Sequence, residues 1–273
     1  MNQITSKVSE LLCEVKNKNP LIHNITNYVT VNDCANVVLA IGASPIMADD
    51  IGEAADITAI SSALVINIGT LNHRTIEAML CSAKKANELG IPVVFDPVGA
   101  GASALRNKAT EDILSEVKIS VIRGNMSEMS FVAGLGASTK GVDAAQKDIE
   151  NNDGIAIATT VAQKLGCIVA ITGATDIISD GERVVTISNG HKMLSNVTGT
   201  GCMTTALVGS FCGVTKDMFV AAVGGVVSMG MAGEIAFEKV VDKGTGSFHI
   251  AIIDAISQLT QNIILERAKI NEV

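Results

Sequence analysis

Residues 64–95 read LVINIGTLNHRTIEAMLCSAKKANELGIPVVF, and this stretch predicts the fold. Apolar runs at 64–68 and 92–95 flank a segment, Arg74–Gly90, whose apolar residues recur at intervals of three and four. Short runs rich in Val and Ile are typical of parallel strands that are buried on both faces. A glycine before the second run is typical of a helix end. The stretch therefore predicts a strand–helix–strand unit of a parallel sheet.

The same alternation continues along the chain. Further strands are predicted at SVI (120–122) and CIVAIT (167–172), and further helices at Ser103–Val117 and Gly154–Gly166. Repeated strand–helix–strand order favours an open α/β sheet with helices on both faces. We therefore expect a mostly parallel central sheet in an α/β fold.

The pattern changes after residue 175. The segment DIISDGERVVTISNG (176–190) predicts two short strands around a tight turn at Asp180-Gly181. Three helical segments are predicted after it, at Cys202–Cys212, Asp217–Val240 and Ser247–Ala268. Because no linker, charge run or internal repeat interrupts the sequence, we expect residues 1–273 to form a single domain.

The composition excludes several classes of protein. The 273 residues are 48% hydrophobic and 18% charged, which is too apolar for a disordered chain. The formal net charge of −8 argues against a nucleic-acid binder, which needs a basic surface. Aromatic residues make up 3% of the chain, too few for base-stacking platforms.

The termini, the cysteines and the longest apolar stretch favour a cytoplasmic protein. The first twenty residues mix charged and apolar types, unlike a secretory signal. The six cysteines include no C-x-x-C pair, and we expect them to be reduced, without disulfides or structural zinc. The apolar stretch from Met218 to Gly233 is shorter than the roughly 20 residues that span a bilayer. We expect a buried helix there and no membrane partner.

Polar residues follow four of the predicted strands. In open α/β sheets ligands bind beyond the carboxyl ends of the strands, so these residues predict a polar crevice. The four segments are Asn67–Thr70, Asp96–Gly101, Arg123–Glu128 and Thr172-Gly173.

A fifth element, TGTGC (198–202), precedes an apolar helix. Its glycines allow a tight turn, and free N–H groups at a helix start attract anions. Cys202 would lie at the helix N-terminus, where the pKa of a thiol is expected to fall. The chain has neither a G-x-x-x-x-G-K-[ST] phosphate loop nor a G-x-G-x-x-G dinucleotide motif.

Taken together, the motifs identify a resemblance. GTGC (199–202), NMSE (125–128) and DPVGAG (96–101) resemble the hydroxyethylthiazole kinase family of thiamine salvage, within the ribokinase-like superfamily. The resemblance extends from PLIHNITN (20–27) to GTGSF (244–248). It implies a three-layer ribokinase-like sandwich that uses ATP to phosphorylate the hydroxyl of 4-methyl-5-(2-hydroxyethyl)thiazole. It also implies a homotrimer with active sites between subunits.

The resemblance assigns roles residue by residue. Cys202 stands where most of the superfamily carries an Asp base for the substrate hydroxyl. The implied substrate contacts are Met47 and Gly199, with His23, Asn24 and Gly69 near the alcohol. The implied ATP contacts are Arg123, Thr172, Asn125 and Gly201, and Asp96 and Glu128 are the implied Mg²⁺ ligands.

Three other functions stay open at the level of sequence. A related kinase could act on a pyrimidine alcohol or a sugar, and substrate competition would separate the two. A thiol enzyme could use Cys202 as a covalent nucleophile, although the sequence places no His beside it. A non-catalytic trimeric binding protein would release no ADP when the alcohol is added.

Overall fold

The computed structural model describes residues 3–134 and 154–273, and the strands in these ranges form one sheet of nine. They are β1 (Leu21–Ile25), β2 (Ser44–Ile46), β3 (Ala63–Asn67), β4 (Val93–Asp96), β5 (Val121–Gly124), β6 (Ile168–Ile171), β7 (Asp176–Ser179), β8 (Val184–Ile187) and β9 (Ile270–Glu272). The spatial order is β2-β1-β3-β4-β5-β6-β7-β8-β9. Neighbours are parallel as far as β6, and β7, β8 and β9 are antiparallel.

Helices cover both faces of this sheet. They are α1 (Gln3–Lys18), α2 (Val31–Ile41), α3 (Ala54–Ala59), α4 (His73–Leu89), α5 (Ala104–Glu116), α6 (Met126–Gly134), α7 (Gly154–Leu165), α8 (Thr200–Cys212), α9 (Met218–Lys239), α10 (Thr245–Ser257) and α11 (Gln261–Arg267), with a 3₁₀ helix at Lys192–Asn196. Leu64 and Ile66 pack into one buried cluster and Val65 into another, because successive side chains of a strand point to opposite faces. The expected mostly parallel sheet between two helical layers is confirmed.

The strand–helix–strand unit of residues 64–95 forms as predicted. The Asn72 side chain accepts a hydrogen bond from the Thr75 backbone N–H at 3.0 Å and so caps the start of α4. Gly90 ends the helix in the left-handed conformation, with φ of 69°. The unit brings the last residues of two parallel strands side by side, because Asn67 pairs in register with Asp96.

The C-terminal third departs from the prediction. The single helix expected at Ser247–Ala268 is wrong, because α10 and α11 are separate helices bent by 112°. The Thr260 side chain accepts from the Ile263 backbone N–H and starts a new helix at the break. The chain then enters β9, a strand that the sequence pattern does not predict, as is also true of β1 and β2.

The apolar stretch Met218–Gly233 lies in α9. This helix has 22 residues and so extends beyond the sixteen residues of the apolar stretch. Among the described residues α9 alone, as a single helix, is long and apolar enough to cross a membrane by those two criteria. In its most apolar window 83% of the residues are buried inside the fold. Packing within the protein therefore accounts for its apolar composition, as predicted.

Candidate active site

The carboxyl ends of β3 and β4 meet the first turn of α8. Asn67, the last residue of β3, donates from Nδ2 to Asp96 Oδ2 at 2.8 Å and to Cys202 Sγ at 3.3 Å. Thr205, one turn after Cys202, donates to the same Asp96 oxygen at 2.7 Å. The strand-end residues and the glycine turn of the sequence analysis therefore form one site.

Asn27 joins this group from the loop after β1. Its Nδ2 donates to Cys202 Sγ at 3.2 Å and to Asn67 Oδ1 at 3.0 Å. Its Oδ1 accepts from the backbone N–H of Thr30 at 3.2 Å, which fixes the orientation of the amide. Asn67 Oδ1 is fixed in the same way by the Gly69 N–H at 2.9 Å. Two amide donors therefore converge on one sulfur atom.

Sequence reasoning missed Asn27 as a functional residue. It lies in the PLIHNITN motif, but its contact with Cys202 joins residues 175 positions apart. Local spacing carries no signal for such a contact.

The expectation of a lowered thiol pKa at Cys202 is wrong. Burial and the nearby charge of Asp96 raise the pKa of this thiol above its usual value. The hydrogen bonds from Thr30, Asn27 and Asn67 lower the pKa but do not reverse the shift. Loss of solvation therefore has the largest effect on this thiol, and it favours the protonated form.

Asp96 is fully buried at the end of β4. Burial raises the pKa of its carboxyl to about 6, although Arg123 opposes the shift. Its Oδ2 takes the bonds from Asn67 and Thr205, while Oδ1 is buried without a hydrogen-bond partner among the described residues. A buried carboxylate oxygen without a partner is costly, which marks Asp96 as a candidate ligand-binding group.

Arg123 lies across the start of α8. Its guanidinium donates to the Thr172 hydroxyl, and Nη1 is 3.7 Å from Asp96 Oδ2. A Cβ atom at Gly201 would lie only 2.7 Å from Arg123 Nη1, so glycine is what lets the guanidinium approach the helix start. Of the predicted ATP residues, Arg123 therefore contacts Thr172 and packs closely against Gly201.

Glu128 and Asn125 form a reciprocal cap at the start of α6. Glu128 Oε2 accepts from the Asn125 N–H at 2.7 Å, and Asn125 Oδ1 accepts from the Glu128 N–H at 2.9 Å. Glu128 Oε1 also accepts from the Gly99 N–H at 2.8 Å and so holds the loop after β4. Glu128 is close enough to raise the pKa of Asp96.

A cleft of about 740 Å³ opens beside this group. The four predicted ATP residues, Arg123, Asn125, Thr172 and Gly201, all line it. The other lining residues include the loop 189–192 and three residues of α9, Val226, Met229 and Gly230.

The predicted substrate residues divide into two groups. Gly69 and Gly199 surround the Cys202 site, because a Cβ at Gly69 would lie 2.8 Å from Asn27 Nδ2 and one at Gly199 would lie 2.5 Å from Thr30 Cγ2. Gly199 also needs the left-handed conformation, with φ of 89°. Met47 is half-buried against the apolar core, and no described contact joins it to Cys202.

Two buried polar residues of β1 are held by the fold itself. His23 bonds Thr58 Oγ1 through Nδ1 at 2.8 Å and the Ala48 carbonyl through Nε2 at 2.7 Å. Asn24 Nδ2 donates to the Ile22 carbonyl at 3.0 Å. Asn24 Oδ1 is buried without a partner among the described residues.

Arg106 is a second residue that sequence reasoning missed. From α5 it donates to the carbonyls of Ile68 at 2.6 Å, Val98 at 2.5 Å and Gly69 at 2.8 Å. It therefore ties the loop after β3 to the loop after β4, the two loops that flank Asn67 and Asp96. A lone arginine within a helical pattern gives no sign of this position.

Comparisons with known proteins agree with the geometry. A model of the hydroxyethylthiazole kinase family matches residues 12–262. The chain is 71% identical to the hydroxyethylthiazole kinase of Ruminiclostridium cellulolyticum over the whole of both chains. It is 70% identical to that of Clostridium beijerinckii over 100% of this chain and 99% of the relative.

Solved structures show the same fold. The hydroxyethylthiazole kinase of Pyrococcus horikoshii OT3 superposes with a TM-score of 0.87 at 38% identity, over 98% of this chain and 99% of that chain. The pyridoxal kinase of Staphylococcus aureus in complex with ADP has a TM-score of 0.58 at 15% identity, over 79% of this chain and 88% of that one. The second likeness shows the fold alone.

Proposed function

The chain belongs to the hydroxyethylthiazole kinase family, and on this premise we propose that it uses ATP to phosphorylate the hydroxyl of 4-methyl-5-(2-hydroxyethyl)thiazole in thiamine salvage. The observation that carries the proposal is the position of Cys202, between two amide donors and beside the Asp96–Arg123 pair at the edge of the cleft. The protein is a phosphotransferase with an alcohol as acceptor.

ATP binds in the 740 Å³ cleft with its phosphates toward the start of α8. The free N–H groups of residues 199–202 and the helix dipole favour binding of the γ-phosphate at the start of α8. Arg123 donates to phosphate oxygens from its position beside Thr172, and Asn125 lines the same wall.

Mg²⁺ is proposed at Asp96 and Glu128. Mg²⁺ binds oxygen ligands, often one or two carboxylates with the substrate phosphates and water. Asp96 Oδ1, which has no hydrogen-bond partner in the described part of the chain, fits this donor set, and each Glu128 oxygen keeps a lone pair beyond its backbone bond. The bound ion would neutralise phosphate charge as the phosphoryl group transfers.

The alcohol is placed against Cys202 and beside Gly69 and Gly199, and the family resemblance implies Met47 and Asn24 as its further contacts. Asn27 and Asn67 fix the sulfur, which orients the hydroxyl as a hydrogen-bond partner. The raised pKa of the thiol supports orientation as its main contribution, with proton acceptance as a smaller one. Phosphoryl transfer depends mainly on positioning and charge, so a strong base is not essential.

A homotrimer with active sites between subunits completes the proposal. Tyr28 and Val29 directly follow Asn27 and expose large apolar side chains. Leu39 on α2 and Ile250 on α10 do the same, and these two helices pack together. Exposed apolar groups beside a ligand site are typical of subunit contacts.

The cellular setting and the domain organisation complete the account. The six cysteines are free, which supports a cytoplasmic location, and the single sheet supports one domain over residues 1–273. Among the described residues, the hydrogen-bond partners of Cys202 are the Asn27 and Asn67 amides and the Thr30 hydroxyl, which disfavours the thiol-enzyme alternative because that needs an imidazole base.

A turnover assay with ATP, Mg²⁺ and a panel of small alcohols tests this function. We expect the thiazole alcohol to give the highest kcat/KM, ahead of hydroxymethylpyrimidine, pyridoxal and sugars. A higher kcat/KM for a pyrimidine alcohol or a sugar would assign the protein to a related kinase activity instead.

A further inference from the structure

Glu234 lies behind one wall of the cleft and bonds the loop that forms it. The residue is on α9, and its side chain is only 12% exposed. Its Oε1 accepts from the Gly190 backbone N–H at 3.0 Å and from Asn189 Nδ2 at 3.3 Å. A carboxylate that accepts bonds from a loop fixes the position of that loop.

The same carboxylate also reaches the C-terminal segment. Lys269 Nζ is 2.9 Å from Glu234 Oε1. Asn189 Nδ2 donates to the Arg267 carbonyl at 2.9 Å, and Asn189 Oδ1 accepts from the Lys269 N–H at 2.7 Å. Helix α9, the loop after β8 and the segment before β9 are therefore held together at Glu234.

The loop held in this way is a wall of the cleft. Residues 189–192 line the cleft, as do Arg123 and Gly201 at the predicted phosphate end. The His191 ring stacks on Phe237 of α9, with centroids 3.7 Å apart, so the loop lies against the helix at a second point. Glu234 itself is not a lining residue.

We propose that Glu234 is a positioning residue for the nucleotide: by fixing residues 189–192 it keeps the cleft in the shape that binds the nucleoside part of ATP. The inference rests on the proposed assignment of this cleft to ATP. No described bond links Glu234 to Cys202 or Asp96. Its effect is therefore on nucleotide affinity and not on alcohol binding or the transfer step.

A pair of alanine variants on one helix tests the proposal. Glu238, one turn after Glu234, pairs with the Arg267 guanidinium at 3.0 Å and is 57% exposed. Glu238→Ala is therefore the matched control. In the full-length protein we expect Glu234→Ala to raise the Kd of ADP, measured by calorimetry, about tenfold, a size typical of lost bonds to a charged group. The KM of ATP rises in parallel, while kcat and the KM of the thiazole alcohol stay within about twofold.

A conservative variant keeps the test decisive if the alanine variant fails to fold. Glu234→Gln keeps an oxygen that accepts from the Gly190 N–H but loses the charge that pairs with Lys269, so we expect a rise of about threefold in the Kd of ADP. Unchanged ADP affinity in folded Glu234→Ala or Glu234→Gln would overturn the proposal. So would an equal change in the KM of the alcohol, or an equal effect of Glu238→Ala. If the wild-type protein bound no ADP, both the assignment of the cleft to ATP and the proposed role of Glu234 would be wrong. If the protein bound ADP but preferred another alcohol to the thiazole, the role of Glu234 would be unaffected.

Discussion

At the scale of single residues, the site shows how burial can override a local rule. A thiol at a helix start is expected to have a lowered pKa, yet Cys202 has a raised one because it is buried beside Asp96. Two amide donors hold the sulfur in place. A thiol in this state serves better as a fixed hydrogen-bonding group than as a strong base.

The first prediction concerns Cys202. We expect Cys202→Ala to reduce kcat by about 10²–10³-fold, because the alcohol loses its partner, and this is the lower range of general-base effects. Cys202→Asp is expected to remain active, because a carboxylate accepts a hydrogen bond at the same place. Steady-state kinetics of both folded variants measure this. Full activity of Cys202→Ala, or inactivity of folded Cys202→Asp, would remove this role from Cys202.

Sequence alone could place some of these residues and not others. Asp96, Arg123 and Thr172 follow or end buried strands, so the rule that ligands bind at strand ends finds them. Asn27 and Arg106 reach the site by contacts between distant parts of the chain, and no local pattern marks them. The raised pKa of Cys202 depends on burial, which only the fold supplies.

At the scale of elements, the start of α8 is shaped by a close approach. Gly201 allows the Arg123 guanidinium to pack against the helix, where a Cβ would lie 2.7 Å from Nη1. The helix α10 begins in the same way, with Thr245 and then Gly246, but a Cβ at Gly246 meets nothing within 4 Å. The two glycines are therefore alike in sequence and differ in surroundings.

These two glycines give the second prediction. We expect Gly201→Ala to lower kcat/KM for ATP on the order of 10²-fold, because a displaced clamp misplaces the phosphate. Gly246→Ala is the control and is expected to keep wild-type kinetics. Comparable kinetics for the two variants would show that the approach of Arg123 to α8 is unimportant.

The turn between β6 and β7 gives a prediction on pH. Burial raises the pKa of Asp176 from 3.8 to about 6, despite its bond from the Gly173 N–H at 2.9 Å. When the pKa of a carboxyl is higher in the folded state than in the unfolded state, the protein loses stability as the pH rises from the unfolded-state pKa through the folded-state pKa. The contribution of Asp176 to the free energy of unfolding should therefore be smaller at pH 8 than at pH 4.

The variant Asp176→Asn keeps the acceptor oxygen and removes the charge. We expect its free energy of unfolding to exceed that of the wild type by about 2–3 kcal/mol at pH 8, with little of that gain at pH 4. Denaturant unfolding at the two pH values measures the difference. An equal difference at both values would contradict the raised pKa of Asp176.

The sequence predicts the strands that are buried on both faces of the sheet. The runs at 64–68 and 92–95 are apolar except for Asn67, because both faces of β3 and β4 are covered, and both strands form. Strand β1 (LIHNI) contains two buried polar residues, His23 and Asn24, which interrupt the apolar pattern that predicts a buried strand. The break between α10 and α11 contains neither Gly nor Pro, so the sequence pattern does not predict it.

At the scale of the whole molecule, several large apolar side chains are exposed, and two of them directly follow Asn27 of the active site. These exposed residues include Tyr28, Val29, Leu39 and Ile250. In the trimer that we propose, these groups would be buried at subunit contacts and a neighbouring subunit would add a wall to the alcohol pocket.

The prediction at this scale concerns Ile250. We expect Ile250→Glu to dissociate the proposed trimer, because a charge buried in a subunit contact is costly. We expect activity to fall as well, because in the proposed trimer a neighbouring subunit completes each alcohol pocket. Sedimentation velocity gives the oligomeric state, and Leu89→Glu, an exposed apolar residue at the end of α4, is the control. A wild-type monomer that is fully active would contradict the proposed trimeric site.

One measurement tests the central claim most directly. Purified protein is incubated with ATP, Mg²⁺ and 4-methyl-5-(2-hydroxyethyl)thiazole, and ADP and the thiazole phosphate are quantified together. We predict that the two products form in a one-to-one ratio and that neither forms when the alcohol or Mg²⁺ is omitted. ADP release without the thiazole phosphate, or no turnover by folded protein, would contradict the assignment of this site to alcohol phosphorylation.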